Sequence, residues 1–468
     1  MQKAKIGLIG LAVMGANLAR NIADKKIPTI VYNRTSEKTL GFVDQYGTQY
    51  LRGETTLEKF VQEIEKPRKI IVMVKAGAAV DELIEQLKPL LDAGDIIIDC
   101  GNSYYKDSER RFADLQKVGL HFFGCGVSGG EEGALHGPSL MPGGSQKVWK
   151  QLEPIFKAIA AKDFNGKPCV TYLGEGAAGH YVKMVHNGIE YGIMQIMAEA
   201  YDLLRKMYKL EAPEIAKIFK KWNNGKLDSY LFEIASKILE KKDDHKKGYL
   251  IDYILDVAEQ KGTGAWTSHD ALDKGIPLST VTESVFARNL STFKETRVAL
   301  GKLYPTNKKM KKPAQAKFIA QLENALYASI LNSYAQGYEL IQSASAFHGW
   351  HINLAEVSRI WEGGCIIRAK ILNFLHKAYQ KNPTKHLLAI PEVTTALKKN
   401  IPDLEIIVSL AAQNGIPALG LSSALFYFRS MTSAQSSANF IQGLRDFFGA
   451  HTYARTDRKG LFHADWTE

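Results

Sequence analysis

The chain has 468 residues, 45% of them hydrophobic and 23% charged, a balance that excludes a disordered chain, a collagen-like repeat and a disulfide-stapled miniprotein. An excess of 60 Lys and Arg over 49 Asp and Glu gives +11, which suits an anionic ligand or a nucleic acid. Four scattered cysteines, Cys100, Cys125, Cys169 and Cys365, offer no CxxC pair and no metal-ligand spacing, so the expected compartment is reducing and the expected metal content nil.

The N-terminus places Lys3 and Lys5 ahead of an apolar run, as a secretory leader would. Glycines in that run, and polar residues from Asn17 onward, fit a strand, a turn and a helix instead. No uncharged apolar stretch of roughly 18 residues occurs, so the chain reads as soluble, cytoplasmic and without a membrane span. Up to residue 177, apolar runs at 4–10, 29–33, 69–74, 95–99, 120–124 and 169–173 alternate with helical patterns. Continuous runs such as Ile-Ile-Ile belong to strands buried on both faces, and helical crossovers between them make a doubly wound parallel sheet.

The first strand runs into Gly10-Leu11-Ala12-Val13-Met14-Gly15 and then a helix. That is the dinucleotide fingerprint with Ala in its second position: a tight turn, a close approach for pyrophosphate, and tight helix–strand packing. The second strand ends Asn33-Arg34-Thr35, without the carboxylate that binds a ribose 2′-hydroxyl. A guanidinium and a hydroxyl suit a 2′-phosphate, so NADP is favoured over NAD. Two glycine loops follow later strands: Asp99-Cys100-Gly101-Asn102-Ser103, and Gly124 through Ser128, Gly129 and Gly130 to Gly133. Their amides could hold a carboxylate or sugar hydroxyls.

From residue 178 the pattern is helical, with long stretches at 180–209, 280–300, 317–346 and 366–381. In the first, Lys183, His186, Asn187 and Glu190 fall on one face, and the remainder is small or apolar. A helix apolar nearly all round is buried, and a buried Lys–Glu pair is a candidate acid/base unit. Gln260-Lys261-Gly262-Thr263-Gly264 forms a cationic, glycine-flanked loop that Arg288, downstream, could join. A faint repeat pairs Ala198–Leu204 and Trp222 with Ala335–Ile341 and Trp361, 137 to 139 residues on, which suggests a duplicated helical unit. Residues 439–448 form a short amphipathic segment, and 449–468 are polar. A tail of that kind either frays or docks on a partner subunit.

These motifs together resemble the 6-phosphogluconate dehydrogenase family. The matching pieces are the Gly10–Gly15 loop, Asn33-Arg34-Thr35, Val127–Gly133, Lys183–Tyr191, Gln260–Gly264, Gly364–Arg368 and Asp446–Tyr453, in order over essentially the full length. The resemblance implies a Rossmann-type doubly wound domain over 1–177, an all-α, internally duplicated substrate and dimerisation domain over 178–435, and a tail over 436–468 that reaches the partner subunit. It implies Lys183 as general base and Glu190 as general acid. Asn102, Ser128, Gly129, Gly130, His186 and Asn187 would line the sugar acid, and Tyr191, Lys261, Thr263 and Arg288 would hold its phosphate. Arg445 and His451 would act in the neighbouring subunit's site. NADP would touch Gly10, Leu11, Ala12, Val13, Met14, Gly15, Asn33, Arg34, Thr35, Val74, Lys75, Ala76 and Asn102. Ile193 and Ala265 stand where the family usually carries Asp and Lys, which implies altered kinetics at most.

The implied reaction is the NADP-dependent oxidative decarboxylation of 6-phospho-D-gluconate to D-ribulose 5-phosphate and CO₂ by a cytoplasmic homodimer. It needs no metal, because the ketone formed at C3 is its own electron sink. A related β-hydroxyacid dehydrogenase shares the fingerprint and the helix lysine, but not the phosphate-binding set or this length. A nucleic-acid binder would rest on the net charge and on the Lys308–Lys312 run, which lacks interleaved aromatics and reads as a solvated loop.

Overall fold

A computed structural model of the chain describes residues 2–305 and 310–467. Lys308 and Lys309 of the basic run lie outside the described residues. The first half of the fold is a seven-stranded sheet: β1 (Ile6–Ile9), β2 (Thr29–Tyr32), β3 (Leu51–Gly53), β4 (Lys69–Val72), β5 (Ile96–Asp99), β6 (His121–Ser128) and β7 (Ser139–Gly144). Seven helices connect and flank them: α1 (Val13–Asp24), α2 (Ser36–Tyr46), α3 (Leu57–Gln62), α4 (Ala78–Leu87), α5 (Tyr105–Lys117), α6 (Gly130–His136) and α7 (Gln146–Ile159). The order is β3-β2-β1-β4-β5-β6-β7, so the crossover direction reverses between β1 and β4. Ligands of such sheets bind beyond the carboxyl ends of the strands at that reversal. The Ile-rich β4 and β5 are buried on both faces, as their continuous apolar runs require.

Four features of the sheet depart from the sequence expectation. β3 is a three-residue edge strand, Leu-Arg-Gly, too short and too polar to register as apolar periodicity. Residues 124–128 are strand rather than loop, because β7 pairs antiparallel with β6 as far as Ser128 opposite Ser139. β7 itself reads Ser-Leu-Met-Pro-Gly-Gly, which looks like a turn. Pro142 is tolerated there because β7 is the edge strand, where a missing N–H leaves no ladder bond unmade. Residues 169–173 make no ladder of their own. They run along that edge, where Cys169 C=O accepts from Leu140 N–H and Leu173 N–H donates to Pro142 C=O.

The second half is helical: α8 (Ala178–Tyr208), α9 (Ala212–Asn223), α10 (Tyr230–Glu240), α11 (Thr263–Asp273), α12 (Ser279–Thr292), α13 (Lys294–Leu303), α14 (Gln315–His348), α15 (Leu354–Ile360), α16 (Lys370–Lys381), α17 (Pro391–Gln413) and α18 (Leu419–Met431). The expected 280–300 helix breaks at Phe293. Ser291 and Thr292 hydroxyls bond back to Arg288 and Asn289 carbonyls, and Arg297 takes the Ser291 carbonyl, so the final turn of α12 is capped instead of extended. The expected 366–381 helix starts only at Lys370, since the Arg368 carbonyl and the Lys370 amide are engaged elsewhere.

That engagement exposes the repeat. Tyr230 N–H donates to Arg368 C=O at 3.0 Å, and Lys370 N–H to Asp228 C=O at 2.9 Å, a reciprocal pair between equivalent points of two copies. Trp222 and Trp361 are both fully buried. Gly275-Ile276-Pro277 and Gly415-Ile416-Pro417 make the same turn, each Ile amide donating to an alanine carbonyl five residues back. The two longest helices, α8 and α14, pack closely where Gly337 meets Ile189. Among the described residues no helix is long and apolar enough to cross a membrane.

The chain ends in α19 (Ala438–Gly449) and a two-stranded ribbon, β8 (Tyr453–Ala454) with β9 (Leu461–Phe462). Its centre is Asp446, fully buried, which accepts from Thr452 N–H, Ala464 N–H and Trp466 Nε1–H and faces His463 at 3.0 Å. Outward, Phe440, Ile441, Leu444, Phe447 and Phe448 are exposed.

Candidate functional site

α8 starts against the sheet. A Cβ on Gly124 would stand 2.8 Å from the His180 ring, and one on Gly126 2.4 Å from Lys183 Cβ. The glycine spacing in β6 therefore serves close approach: two bare positions on one face let the helix backbone lie on the strand. Lys183 is seated there, 6% exposed, one helical turn before fully buried His186 and nearly buried Asn187.

The polar groups on this face complete one another. Lys183 Nζ donates to Asn187 Oδ1 at 2.5 Å, and His186 Nδ1 donates to the same oxygen at 3.1 Å. His186 Nε2 faces Ser128 Oγ at 3.3 Å, which makes Nε2 the acceptor of the serine proton. Glu190 Oε2 stands 3.9 Å from His186 Nδ1, at the open end of the row. Burial pushes Lys183 below the usual lysine range, against the opposing pull of Glu190 and Cys365. Burial raises Glu190 above the usual carboxyl range, against Lys183 and Arg288. His186 is held neutral, first by burial and then by Lys183. An ammonium made more acidic and a carboxyl made less acidic, side by side, are shifted toward one another as a general base and a general acid require.

Gly188 marks the next contact. A Cβ there would meet Thr267 at 2.8 Å, and Thr267 Oγ1 donates to Met184 C=O. α11 thus docks on α8 and presents its N-terminus, Gly262-Thr263-Gly264, with Lys261 exposed just before it. Arg288 of α12 lies 3.6 Å over the Tyr191 ring and donates to Glu259 C=O. Gln260 bonds Asn289 of α12. The expected phosphate set of Tyr191, Lys261, Thr263 and Arg288 therefore stands on three elements tied to one another.

Gly129 and Gly130 open α6 at φ +125° and +62°, and a Cβ on Gly129 would lie 2.6 Å from Gly364 C=O. Ser128 Oγ also accepts from Ile366 N–H at 3.4 Å. The 364–366 turn, part of the Gly364–Arg368 motif, thus lies against Ser128 and Gly129. Asp99 and His180 had no assigned part either. Asp99 accepts from Gly101 N–H and Ser103 Oγ–H and lies 3.5 Å from Arg111, which shapes the turn that carries exposed Asn102. His180 Nδ1 meets Ser108 Oγ at 2.6 Å. In the sequence Asp99 shows only as a polar residue that ends an apolar run, and His180 only as a polar residue that opens a helical stretch.

The dinucleotide loop fits its expected ligand. A Cβ on Gly15 would stand 1.9 Å from Gly10 C=O, and Gly10 is at φ +103° with Met73 C=O close behind. α1 has no side-chain cap and no acid in its first turn, so its first amides and its positive dipole end are open to a pyrophosphate. Asn33 Oδ1 accepts from Leu11 N–H at 3.1 Å, which locks the end of β2 to the loop. Arg34 and Thr35 are exposed beside it, and Arg34 makes no hydrogen bond or ion pair among the described residues. The Val74-Lys75-Ala76 turn follows β4 across the reversal point.

Arg445 and His451 do not join this constellation. Both are exposed, Arg445 bonds Gln442 of its own helix, and no hydrogen bond or ion pair among the described residues ties either to α8.

Comparison with known proteins agrees with this geometry. The family model described as "NAD binding domain of 6-phosphogluconate dehydrogenase" matches residues 5–174. The model described as "6-phosphogluconate dehydrogenase, C-terminal domain" matches residues 179–466. The chain is 48% identical to the NADP(+)-dependent, decarboxylating 6-phosphogluconate dehydrogenase of Bacillus subtilis over 468 residues, covering 100% of both. It is 47% identical to the decarboxylating enzyme of Lactococcus lactis subsp. lactis, covering 100% of this chain and 99% of the relative. A Plasmodium falciparum 6-phosphogluconate dehydrogenase, solved as apo form and with NADP+ or 6-phosphogluconate, superposes with a TM-score of 0.95. That match covers 99% of this chain and 100% of the other, at 43% identity.

Proposed function

The chain belongs to the 6-phosphogluconate dehydrogenase family, and we infer from that premise how its residues carry out the NADP-dependent oxidative decarboxylation of 6-phosphogluconate in the pentose phosphate pathway. The observation that carries the reading is buried Lys183, its basicity lowered, on one helix face with His186, Asn187 and Glu190.

Gly10 to Gly15, Asn33, Arg34, Thr35, Val74 to Ala76 and Asn102 would hold NADP, which when bound takes up the hydrogen and electron pair leaving C3. Neutral Lys183 removes the C3 hydroxyl proton. The resulting ketone lies β to the carboxylate, so the C1–C2 bonding electrons can settle as an enediol while CO₂ departs. Protonated Lys183 hydrogen-bonds the C3 oxygen through that loss, and Glu190 then delivers a proton to the carbon that lost CO₂. Asn102, Ser128, Gly129, Gly130, His186 and Asn187 would orient the sugar acid. Tyr191, Lys261, Thr263 and Arg288 would bind its phosphate. Incubation with NADP and 6-phosphogluconate should release CO₂ and NADPH in equal amounts. NADPH without CO₂ would return the chain to the wider β-hydroxyacid dehydrogenases.

We assign residues 1–177 to the dinucleotide-binding domain, 178–435 to the helical domain and 436–468 to the tail. The working form is a cytoplasmic homodimer. Exposed Phe286, Leu290, Phe293, Leu303 and Tyr304 on α12, α13 and the turn beyond, with the outward face of α19, support a partner surface. Four buried, unpaired cysteines support a reducing compartment.

Two variants test the roles here. Arg34→Ala should raise the Michaelis constant for NADP about tenfold or more and leave NAD use little changed, since a charged hydrogen bond contributes about 1.5–3 kcal/mol. Steady-state kinetics with both cofactors decides, and an equal loss with each would make Arg34 a fold residue. Glu190→Ala should lower ribulose 5-phosphate formation by about 10²–10⁴-fold, the usual worth of a positioned acid, with a melting temperature close to wild type. Undiminished turnover would leave Glu190 a structural residue.

A further inference from the structure

One buried carboxylate outside the acid/base row joins three elements around the site. Asp270 of α11 is fully buried. Tyr105 Oη donates to its Oδ1 at 2.6 Å, Tyr181 Oη to its Oδ2 at 2.5 Å, and Lys274 Nζ lies 3.0 Å from Oδ1. The two phenol rings meet edge to face, 4.9 Å between centroids. Both tyrosines are buried, and burial, reinforced by Asp270, pushes both hydroxyls up, which keeps them protonated donors. A carboxylate removed from water needs such partners, and here they come from different parts of the fold.

Each partner leads to a different piece of the site. Tyr105 is the first residue of α5, three residues after Asn102. On the sheet side the Asn102 turn is held by Asp99. On the helical side Tyr105 is its anchor. Tyr181 is on α8, two residues before Lys183. α11 carries Thr263 at its start, beside Lys261, and its Thr267 bonds the carbonyl next to Lys183. A peripheral ion pair, Lys106 to Asp273, spans the same seam.

We propose that Asp270 is a positioning residue, a buried clamp that sets the dinucleotide half of the active site against the half that carries Lys183 and the phosphate-binding helix. The inference rests on the placement of Asn102 and Lys183 in that site. Oxidation at C3 needs the substrate aligned at once with the base on α8 and with the cofactor over the sheet. A displacement on the order of 1 Å between such groups can cost about 10²-fold in rate. The clamp touches neither ligand, so its loss should act on the rate constant and spare the binding constants.

Tyr105→Phe removes one hydrogen bond with little change in shape, and Asp270→Asn leaves an acceptor for one tyrosine. Tyr105→Phe should lower kcat about tenfold or more, with the KM for 6-phosphogluconate and the Kd for NADP, read by fluorescence, within about twofold. The isotope effect with substrate deuterated at C3 should rise, because oxidation becomes slower relative to the other steps. Amide hydrogen exchange over residues 101–107 should quicken in the ligand-free protein, a readout independent of turnover. Asp270→Asn should show the same pattern, and adding Tyr105→Phe to it should cost less than the two single effects combined. Unchanged kcat, isotope effect and exchange in both variants would overturn the clamp. So would a lowered melting temperature with these three at wild-type values. Loss of CO₂ release by the wild-type chain would refute the assigned reaction, while the exchange result would still decide whether Asp270 joins the two halves.

Discussion

Lys183→Met should abolish measurable turnover, a loss of about 10²–10⁴-fold or more, while NADP binding stays within about twofold of wild type. Methionine keeps the length of the lysine stem, so the close seat against Gly126 is retained and only the amine is lost. The dinucleotide residues lie in the turns after β1, β2, β4 and β5 and at the start of α1, none of them on α8. Cofactor titration and NADPH formation, measured on one preparation, separate the two effects. NADPH formation at the wild-type rate would sink the assignment of the base. The pH profile carries the same argument. Burial lowers the pKa of Lys183 from 10.5, so its neutral fraction, and activity with it, rises as pH climbs through the lowered value. Burial raises that of Glu190 from 4.5, so its protonated fraction falls as pH climbs through the raised value. Activity in kcat should be bell-shaped, and Glu190→Ala should flatten the alkaline limb of whatever residual rate survives.

Mixing two inactive chains should restore activity. Arg445 and His451 are exposed on a tail that folds around its own Asp446 and turns an apolar face outward. An exposed apolar face of this size on a helix is normally covered. If the tail reaches the partner's substrate, with Arg445 pairing with the phosphate and His451 donating to it, each active site needs both chains. Arg445→Ala chains and Lys183→Met chains are then each inactive. In a hybrid dimer, Lys183 from the first chain and Arg445 from the second make one intact site. Random exchange makes about half of the dimers hybrid, each with one good site of two, so about a quarter of wild-type activity is expected if contacts from both chains act in the transition state. Mass spectrometry would verify exchange. Hybrids formed without any return of activity would mean that the tail serves its own subunit.

The parts of the fold legible in the sequence are those in which one local pattern has one physical meaning. β4 and β5 are continuous apolar runs, and only a strand covered on both faces buries them. α8 announced its own burial, since even the face that bears Lys183 continues into small and apolar residues. The repeat was visible at Trp222 and Trp361, and the reciprocal pairing of Tyr230 and Lys370 with Arg368 and Asp228 gives it a structural counterpart. β3 and β7 were not legible, because an edge strand is held by its neighbour's ladder and not by its own side chains. The same holds for residues 124–128, where glycines that look like a loop are the price of a helix lying on a strand.

For the site, spacing alone put Lys183, His186, Asn187 and Glu190 on one stripe, because the period of a helix is a local property. It could not supply their protonation states. Those depend on how much water the sheet and α14 exclude, and on Cys365 and Arg288, which reach Lys183 and Glu190 from more than 90 residues away in sequence. The fingerprint and the absent carboxylate at Asn33-Arg34-Thr35 were likewise readable in place. What only the tertiary structure decided are the long-range contacts. Ser128 meets His186 and the 366 amide, Arg288 stacks on Tyr191, and Asp270 receives two tyrosines 165 and 89 residues distant. A short segment determines its own helix or strand through backbone geometry and side-chain period. A buried charge is tolerated only once distant segments bring it partners, and no local pattern records which segments those are.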